Sequence, residues 1–130
     1  MYKWLKKYQT LQKQIDYLEY EILDFQLNIE NLSKVPKNVV SESTDLGMKN
    51  KICEKEKELE YLIIRRQAIL DFIYKFDDLE SKILIKKYIE NKKLFDIAEE
   101  LNYSESYIYQ KHSEIIKQIE LIEKFTTNLP

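Results

Sequence analysis

Large apolar residues recur in alternating steps of three and four along the first thirty residues of the chain. One row consists of Tyr8, Ile15, Ile22 and Ile29, and the other of Trp4, Leu11, Leu18, Phe25 and Leu32. Steps of this size place both rows on one side of an α-helix, which must then pack along its length against another helix. At about 1.5 Å per residue, such a helix would be roughly 45 Å long.

The rest of the chain also favours helices. It contains one glycine and two prolines among 130 residues, whereas a sheet protein needs turn residues about every 8–12 positions. A polar loop is predicted from about residue 33 to 45, around Pro36, and a second long helix from Met48 to Phe76. We therefore predict an all-α fold that begins with a long antiparallel helical hairpin, similar to a coiled coil.

The second long helix offers little apolar surface in its first half. Between Lys49 and Glu60, only Ile52, Cys53 and Leu59 are apolar. An uncovered large apolar side chain forfeits about 1.5–3 kcal/mol, so we expect a second copy of the chain to cover the seam, giving a homodimer or a higher homo-oligomer. The predicted interface consists of Trp4, Tyr8, Leu11, Ile15, Leu18, Ile22, Phe25 and Ile29.

Residues 78–130 are predicted to form a small three-helix module behind the hairpin of residues 1–77. Asp77 is a suitable N-cap for a helix from Leu79 to Ile89, and Glu80 occupies the capping-box position. A turn at residues 90–93 then leads to a helix from Leu94 to Leu101. Asn102 tolerates left-handed backbone angles better than most residues, and Ser104 can cap a last helix that reaches about Phe125.

The pattern from Leu94 to Gln110 is typical of a helix-turn-helix. Ile97 and Leu101 share one face of the first helix, and Ala98 is small where two helices must cross closely. On the second helix, Ile108 begins an apolar row at helical spacing. An ordinary corner between two helices of a bundle would produce the same pattern.

A resemblance to known proteins adds to this interpretation. Residues 78–120 resemble region 4 of bacterial primary-type sigma factors. The residues that follow the pattern of that family are Leu94, Ile97, Ala98, Leu101, Ser104, Ile108 and Gln110. The whole chain resembles phage late transcriptional activators of the ArpU and RinA kind. The resemblance implies a sequence-specific DNA-binding transcription regulator, an activator of a phage or mobile element. Where sigma factors place arginines, this chain has Glu105, Ser106, Tyr107 and Tyr109.

A recognition helix in this position would present side chains that match base edges and phosphates. Gln110 suits an adenine edge, Ser106 suits either base type, and Glu105 can accept from cytosine. Lys92, Lys93 and Lys117 are candidate phosphate contacts. The predicted DNA-binding residues are Lys92, Lys93, Ser104, Glu105, Ser106, Tyr107, Tyr109, Gln110, Ser113 and Lys117.

Net charge does not by itself indicate a nucleic-acid binder. Residues 1–77 carry 13 basic and 13 acidic side chains, and residues 78–130 carry 8 basic and 10 acidic ones. DNA binding by the C-terminal part would therefore depend on the local placement of lysines.

Catalytic sites find no support in the sequence. His112 is the only histidine and Cys53 the only cysteine, so we expect no enzyme activity, no metal site and no cofactor. For His112 we expect a packing or phosphate-contact role. No apolar run approaches the roughly 18 residues of a membrane span, and we expect a protein of the bacterial host cytoplasm.

The predicted partners are double-stranded DNA and further copies of the chain. The hairpin would make dimers or contact host RNA polymerase. Two rival hypotheses are a structural or inhibitory helical protein that binds a host protein through its coiled coil, and a small terminase-like DNA-packaging subunit.

Overall fold

The computed structural model describes residues 3–33 and 42–127, and within these ranges the protein is all-α. The prediction of two long helices followed by shorter ones is confirmed. The elements are α1 (Lys3–Ser33), α2 (Glu42–Ile73), α3 (Asp78–Leu84), a π-helix (Ile85–Ile89), α4 (Leu94–Leu101) and α5 (Glu105–Thr127). None of these helices is long and apolar enough to cross a membrane.

The helices form two compact units. The hairpin unit is Leu11–Arg66, and the C-terminal unit combines Met1–Thr10 with Gln67–Pro130, as far as these ranges are described. This division does not coincide with the predicted boundary after residue 77. The first turns of α1 and the last turns of α2 belong with the short helices, because their side chains take part in the same core. Leu5 and Ile73, for example, are fully buried there.

Antiparallel pairing of α1 and α2 is evident within the hairpin unit. The Arg66 guanidinium donates to Gln12 Oε1 at 2.8 Å, and Lys55 Nζ lies 2.8 Å from Glu21 Oε2. Gln12 precedes Glu21 on α1, whereas its partner Arg66 follows Lys55 on α2. This reversed order is that of an antiparallel hairpin. The buried apolar residues of this unit are Leu11, Ile15, Leu18, Ile22 and Leu62.

Most residues of the predicted oligomer interface are covered within a single chain. Tyr8, Leu11, Ile15, Leu18 and Ile22 are already buried within one chain, and Trp4, Phe25 and Ile29 are half-buried. The charged half of α2 covers more of α1 than its composition suggested, because long basic side chains shield apolar surface with their aliphatic stems. Lys55 lies 5.8 Å from the centre of the Phe25 ring while it pairs with Glu21.

The bounds of α2 also differ from the prediction. The helix begins at Glu42 rather than Met48, so the end of the predicted loop is helical, and residues 34–41 of that loop lie outside the described residues. Its other end comes at Ile73 instead of Phe76, where the chain tightens into short turns. The Lys75 amide donates to Phe72 O and the Phe76 amide to Ile73 O, both at 3.1 Å.

Most buried side chains of the C-terminal unit lie on α3, α4 and α5. α5 packs against both α3 and α4. The core residues are Leu5, Tyr8, Ile69, Ile73, Ile83, Leu84, Leu94, Ile97, Ala98, Ile108, Ile115 and Ile119. Ser81 is buried as well, with its hydroxyl 2.9 Å from Ile73 O and 3.1 Å from Phe76 O. The hydroxyl therefore bonds to carbonyls of the turns that follow α2, where the helical hydrogen-bond pattern has ended.

The predicted cap of α3 is present. Asp77 has extended backbone angles, and its Oδ1 accepts from the Glu80 amide at 2.8 Å. A side-chain hydrogen bond with Asp77, followed by burial, raises the pKa of Glu80 to about 7. The pKa of Asp77 is lowered, mainly by the same hydrogen bond. The interaction between the two carboxyl groups at the start of α3 therefore favours the protonated form of Glu80.

The raised pKa of Glu80 predicts a pH-dependent stability. A Glu80 pKa raised from 4.5 to about 7 stabilises the fold below the ordinary pKa, and the benefit is lost as pH rises to about 7. Glu80→Gln keeps a donor toward Asp77 without a titrating proton. Urea unfolding at about pH 5 and about pH 8 should show that the wild type loses more stability over this interval than the variant. Equal losses in both proteins would contradict the raised pKa of Glu80.

Candidate nucleic-acid interface

The turn between α4 and α5 depends on Asn102, as predicted. Asn102 has φ 61° and ψ 39°, a left-handed conformation. Its amide donates to Glu99 O at 3.3 Å, and the Tyr103 amide donates to Ala98 O at 3.0 Å. These bonds satisfy the carbonyls at the end of α4, as in the Schellman type of helix ending.

Ser104 caps the next helix, also as predicted. Its Oγ accepts from the Tyr107 amide at 3.1 Å, and its carbonyl accepts from the Ile108 amide at 3.2 Å. The hydroxyl thus serves one of the amides that the first turn of α5 leaves without a helical partner. Ser104 is exposed, but its oxygen is already committed to the cap.

The orientation of α5 is fixed by buried apolar side chains. Ile97 and Ile108 are fully buried, and Ala98 is 3% exposed. A small side chain at position 98 allows α4 and α5 to approach closely. Further along α5, Ile115 and Ile119 continue the buried row. One side of α5 is therefore held in the core, and the opposite side faces outward.

The outward side of α5 carries most of the predicted DNA contacts. At about 100° per residue, four positions lie on the side of the helix that faces away from Ile108. They are Ser106, Gln110, Ser113 and Lys117. All four are exposed. Gln110 Nε2 is 3.3 Å from Glu114 Oε1, a long and solvent-exposed contact that the amide can exchange for another partner.

Glu105 and the two tyrosines flank this face. Glu105 is exposed at the first position of α5. Tyr107 is 38% exposed and stacks on Tyr103, with ring centres 5.0 Å apart. Tyr109 is 50% exposed. Both phenol rings thus remain accessible to a ligand.

The three candidate phosphate contacts are not equivalent. Lys92 Nζ lies 2.6 Å from Glu100 Oε1 and 3.2 Å from Glu90 Oε1. Hydrogen bonds to Glu100 and then Glu90 raise the pKa of Lys92, so a phosphate would have to displace two carboxylates. Lys93 and Lys117 are exposed and suit a phosphate better.

Acidic side chains outnumber lysines in this part of the chain. From Lys93 to Lys117 the chain carries three lysines against five carboxylates. Glu100 is held by Lys86 at 3.0 Å as well as by Lys92, which neutralises it locally. The remaining acidic charge weakens general attraction to a polyanion.

A cluster around His112 was not predicted as a group. Tyr88 Oη lies 2.8 Å from His112 Nε2, and the two rings stack with centres 5.8 Å apart. Gln9 Nε2 donates to Tyr88 O at 3.0 Å and to Ile89 O at 2.8 Å. Burial, and then the charge of Lys87, lowers the pKa of His112. Gln9 lies about eighty residues away in sequence, so no local pattern could have indicated it.

Metal chemistry finds no further support in the described ranges. Within residues 3–33 and 42–127, no group of three or more histidine, cysteine or acidic side chains could hold a metal ion. Cys53 is exposed on α2.

Comparisons with known proteins gave no match. No protein-family model matches the chain, and neither a curated protein nor a solved structure matches it significantly.

The left-handed turn provides a test of this local structure. Asn102→Gly should leave stability nearly unchanged, because glycine adopts φ 61° without strain. Asn102→Ala should cost about 1–2 kcal/mol, since a Cβ is unfavourable in this region and alanine lacks the compensating amide. Urea unfolding of both variants measures the difference.

Ser113→Ala is the matched control, because this exposed helical site should change stability by less than about 0.5 kcal/mol. An alanine at position 102 as stable as glycine would show that the turn does not need the left-handed conformation.

Proposed function

We propose that this protein is a sequence-specific DNA-binding transcription regulator, in which α4, the turn at Asn102 and α5 act as a helix-turn-helix. The observation that carries the proposal is the outward face of α5. Ser106, Gln110, Ser113 and Lys117 are exposed on one side, while Ile108 and Ile115 hold the other side in the core. A helix anchored in this way can enter a major groove with its polar side chains toward the base edges.

The chemistry of this face suits base recognition. The Gln110 amide can donate to and accept from one adenine, and the Ser106 hydroxyl can serve either base type. Glu105 can accept from the amino group of cytosine. Lys93 and Lys117 would fix the register through backbone phosphates. The resemblance to sigma factor region 4 supports the same assignment, as does the wider resemblance to phage late-gene activators of the ArpU and RinA kind. We therefore place the protein in the cytoplasm of a bacterial host.

The hairpin unit would bring two DNA-binding modules together or contact host RNA polymerase. Most of the seam predicted for dimerisation is buried within one chain, so we propose that another face of the hairpin unit takes part. Tyr20, Leu23 and Leu27 follow one another on α1 at steps of three and four, and each is about half exposed or more. Tyr61 and Ile64 are exposed on α2. These side chains offer apolar surface to a partner.

The same apolar side chains favour a second candidate function. A structural or inhibitory protein could bind a host protein through the hairpin unit, with the acidic α4–α5 region playing no part in DNA binding. The two functions differ in the response to changes on α5, which only the DNA-binding function requires.

Substitutions on α5 should therefore separate DNA recognition from folding. Gln110→Ala and Ser106→Ala should leave the melting temperature nearly unchanged, and each should weaken specific binding by roughly 1–3 kcal/mol, because each removes hydrogen bonds to one base. Ile108→Ala should destabilise the fold by about 2–5 kcal/mol, because it opens a cavity at a fully buried position. Binding is measured on duplexes that the full chain selects from a random pool.

Salt dependence is the second readout. With Lys92 held by carboxylates, Lys93 and Lys117 give a log–log salt slope near −2 for one module and about double for a dimer. Lys93→Ala should weaken binding to all sequences equally and make the slope shallower by about one.

Selection that enriches no sequence, or wild-type affinity in the Gln110, Ser106 and Lys93 variants, would contradict DNA recognition and favour the protein-binding alternative.

A further inference from the structure

A surface cavity of about 330 Å³ lies within the C-terminal unit. Three parts of the chain form its wall: the start of α1, the π-helix with the turn after it, and α5. The lining residues are Lys6, Gln9, Lys87, Tyr88, Asn91 and His112. The wall therefore combines two ammonium groups, an imidazole, a phenol and two amides, with no carboxylate among them.

The positive charge of this wall stands out against its neighbours. Lys86 and Lys92, next to the cavity in sequence, are both paired with Glu100. Lys87 is half-buried, and its charge reaches His112, where it adds to the effect of burial in lowering the pKa of the imidazole. Lys6 and Lys87 bring two ammonium groups to a wall whose lining includes no carboxylate, and such a wall favours an anion.

The backbone around the cavity is held in an uncommon conformation. Residues 85–89 form a π-helix, a form often found at functional sites. The chain leaves it through Asn91, which has φ 59°. Gln9 bonds the carbonyls of Tyr88 and Ile89. These bonds keep Lys87 and Tyr88 positioned against α1 and α5.

The pair of His112 and Tyr88 can respond to a bound anion. When the imidazole is neutral, one of Nε2 and the Tyr88 hydroxyl donates across the 2.8 Å contact. When it is protonated, Nε2 must donate to the Tyr88 oxygen, and the hydroxyl hydrogen is no longer used in that contact. An anion in the cavity would stabilise this protonated form.

We propose that this cavity binds a phosphate group, with Lys87 and His112 as the principal cationic contacts. Phosphate matches the wall because it carries up to two negative charges near neutral pH and several strong acceptor oxygens. Lys6, Tyr88 and Asn91 supply further donors at the rim.

The cavity lies away from the proposed DNA-recognition face. Around the axis of α5, His112 is separated by roughly 100–160° from Ser106, Gln110, Ser113 and Lys117. A free phosphate or a small phosphorylated ligand therefore fits the site better than the backbone of DNA bound to that face. The inference does not depend on the proposed function, since the site would exist in a protein that binds no DNA.

The single histidine makes the proposal directly measurable. NMR titration of the His112 ring protons in the full chain gives the pKa of one group without overlap. Inorganic phosphate added through the millimolar range should raise the His112 pKa by about one unit, as expected for an anion beside an imidazolium. The shift should saturate, and sodium chloride at equal ionic strength should not reproduce it.

Matched variants locate the effect. Lys87→Met keeps the aliphatic stem and should abolish the saturable shift, whereas Lys87→Arg should retain it. Lys75→Ala, an exposed lysine outside the cavity, should behave as the wild type. Melting temperatures show whether each variant is folded. If Lys87→Met does not fold, Lys87→Arg still tests whether a different cation at position 87 supports the shift.

Two ligand sources are distinguished in the same experiment. A shift with inorganic phosphate or a nucleoside monophosphate supports a free ligand, and a shift with duplex DNA alone assigns the phosphate to nucleic acid. A shift that does not saturate, that chloride reproduces, or that survives in Lys87→Met overturns the proposal.

Discussion

The burial of Ile97, Ala98 and Ile108, where α4 packs on α5, is the constraint on which the C-terminal unit depends. Each isoleucine is fully buried, which contributes about 1.5–3 kcal/mol, and alanine at position 98 lets the helices approach. The left-handed Asn102 turns the chain within two residues, and Ser104 starts α5 at once. The rotation of α5 about its own axis is thereby set, so the outward position of Ser106 and Gln110 is a consequence of packing on the opposite side.

Electrostatics limits what such a helix can do. Lys92 is held by Glu90 and Glu100, and carboxylates outnumber lysines along α4 and the first half of α5. A module of this kind gains little from general attraction to phosphates, so the proposed DNA binding would depend on specific contacts and on joining two modules. The ammonium groups of Lys6 and Lys87 lie together at the cavity beside His112, on another side of α5. The two proposed sites can therefore be occupied independently.

Local sequence signals predicted much of this structure, and contacts distant in sequence account for what they missed. The helix from Leu94 to Leu101, the left-handed Asn102 and the caps at Asp77 and Ser104 each depend on residues within a few positions, and all are confirmed. The heptad predicted the length of α1 and its packing against α2, but not how much of its apolar surface the charged half of α2 covers. From the composition of this segment, the Lys55 side chain is expected to be solvated. In the structure it covers Phe25 and pairs with Glu21. The end of α2, the π-helix and the cluster of Gln9, Tyr88 and His112 likewise depend on contacts between distant segments. The outward face of α5 followed from periodicity, whereas the pairing of Lys92 required the fold.

Amide chemical-shift mapping of the full chain with a selected DNA duplex tests the central claim most directly. Binding through α5 should perturb the amides around Ser106, Gln110, Ser113 and Lys117 most strongly, together with the turn at residues 102–104 and Lys93. Residues of the hairpin unit should change little at low duplex concentration. Perturbations confined to the hairpin unit, or no cluster on α5 at saturating duplex, would contradict the assignment of α5 as a recognition helix.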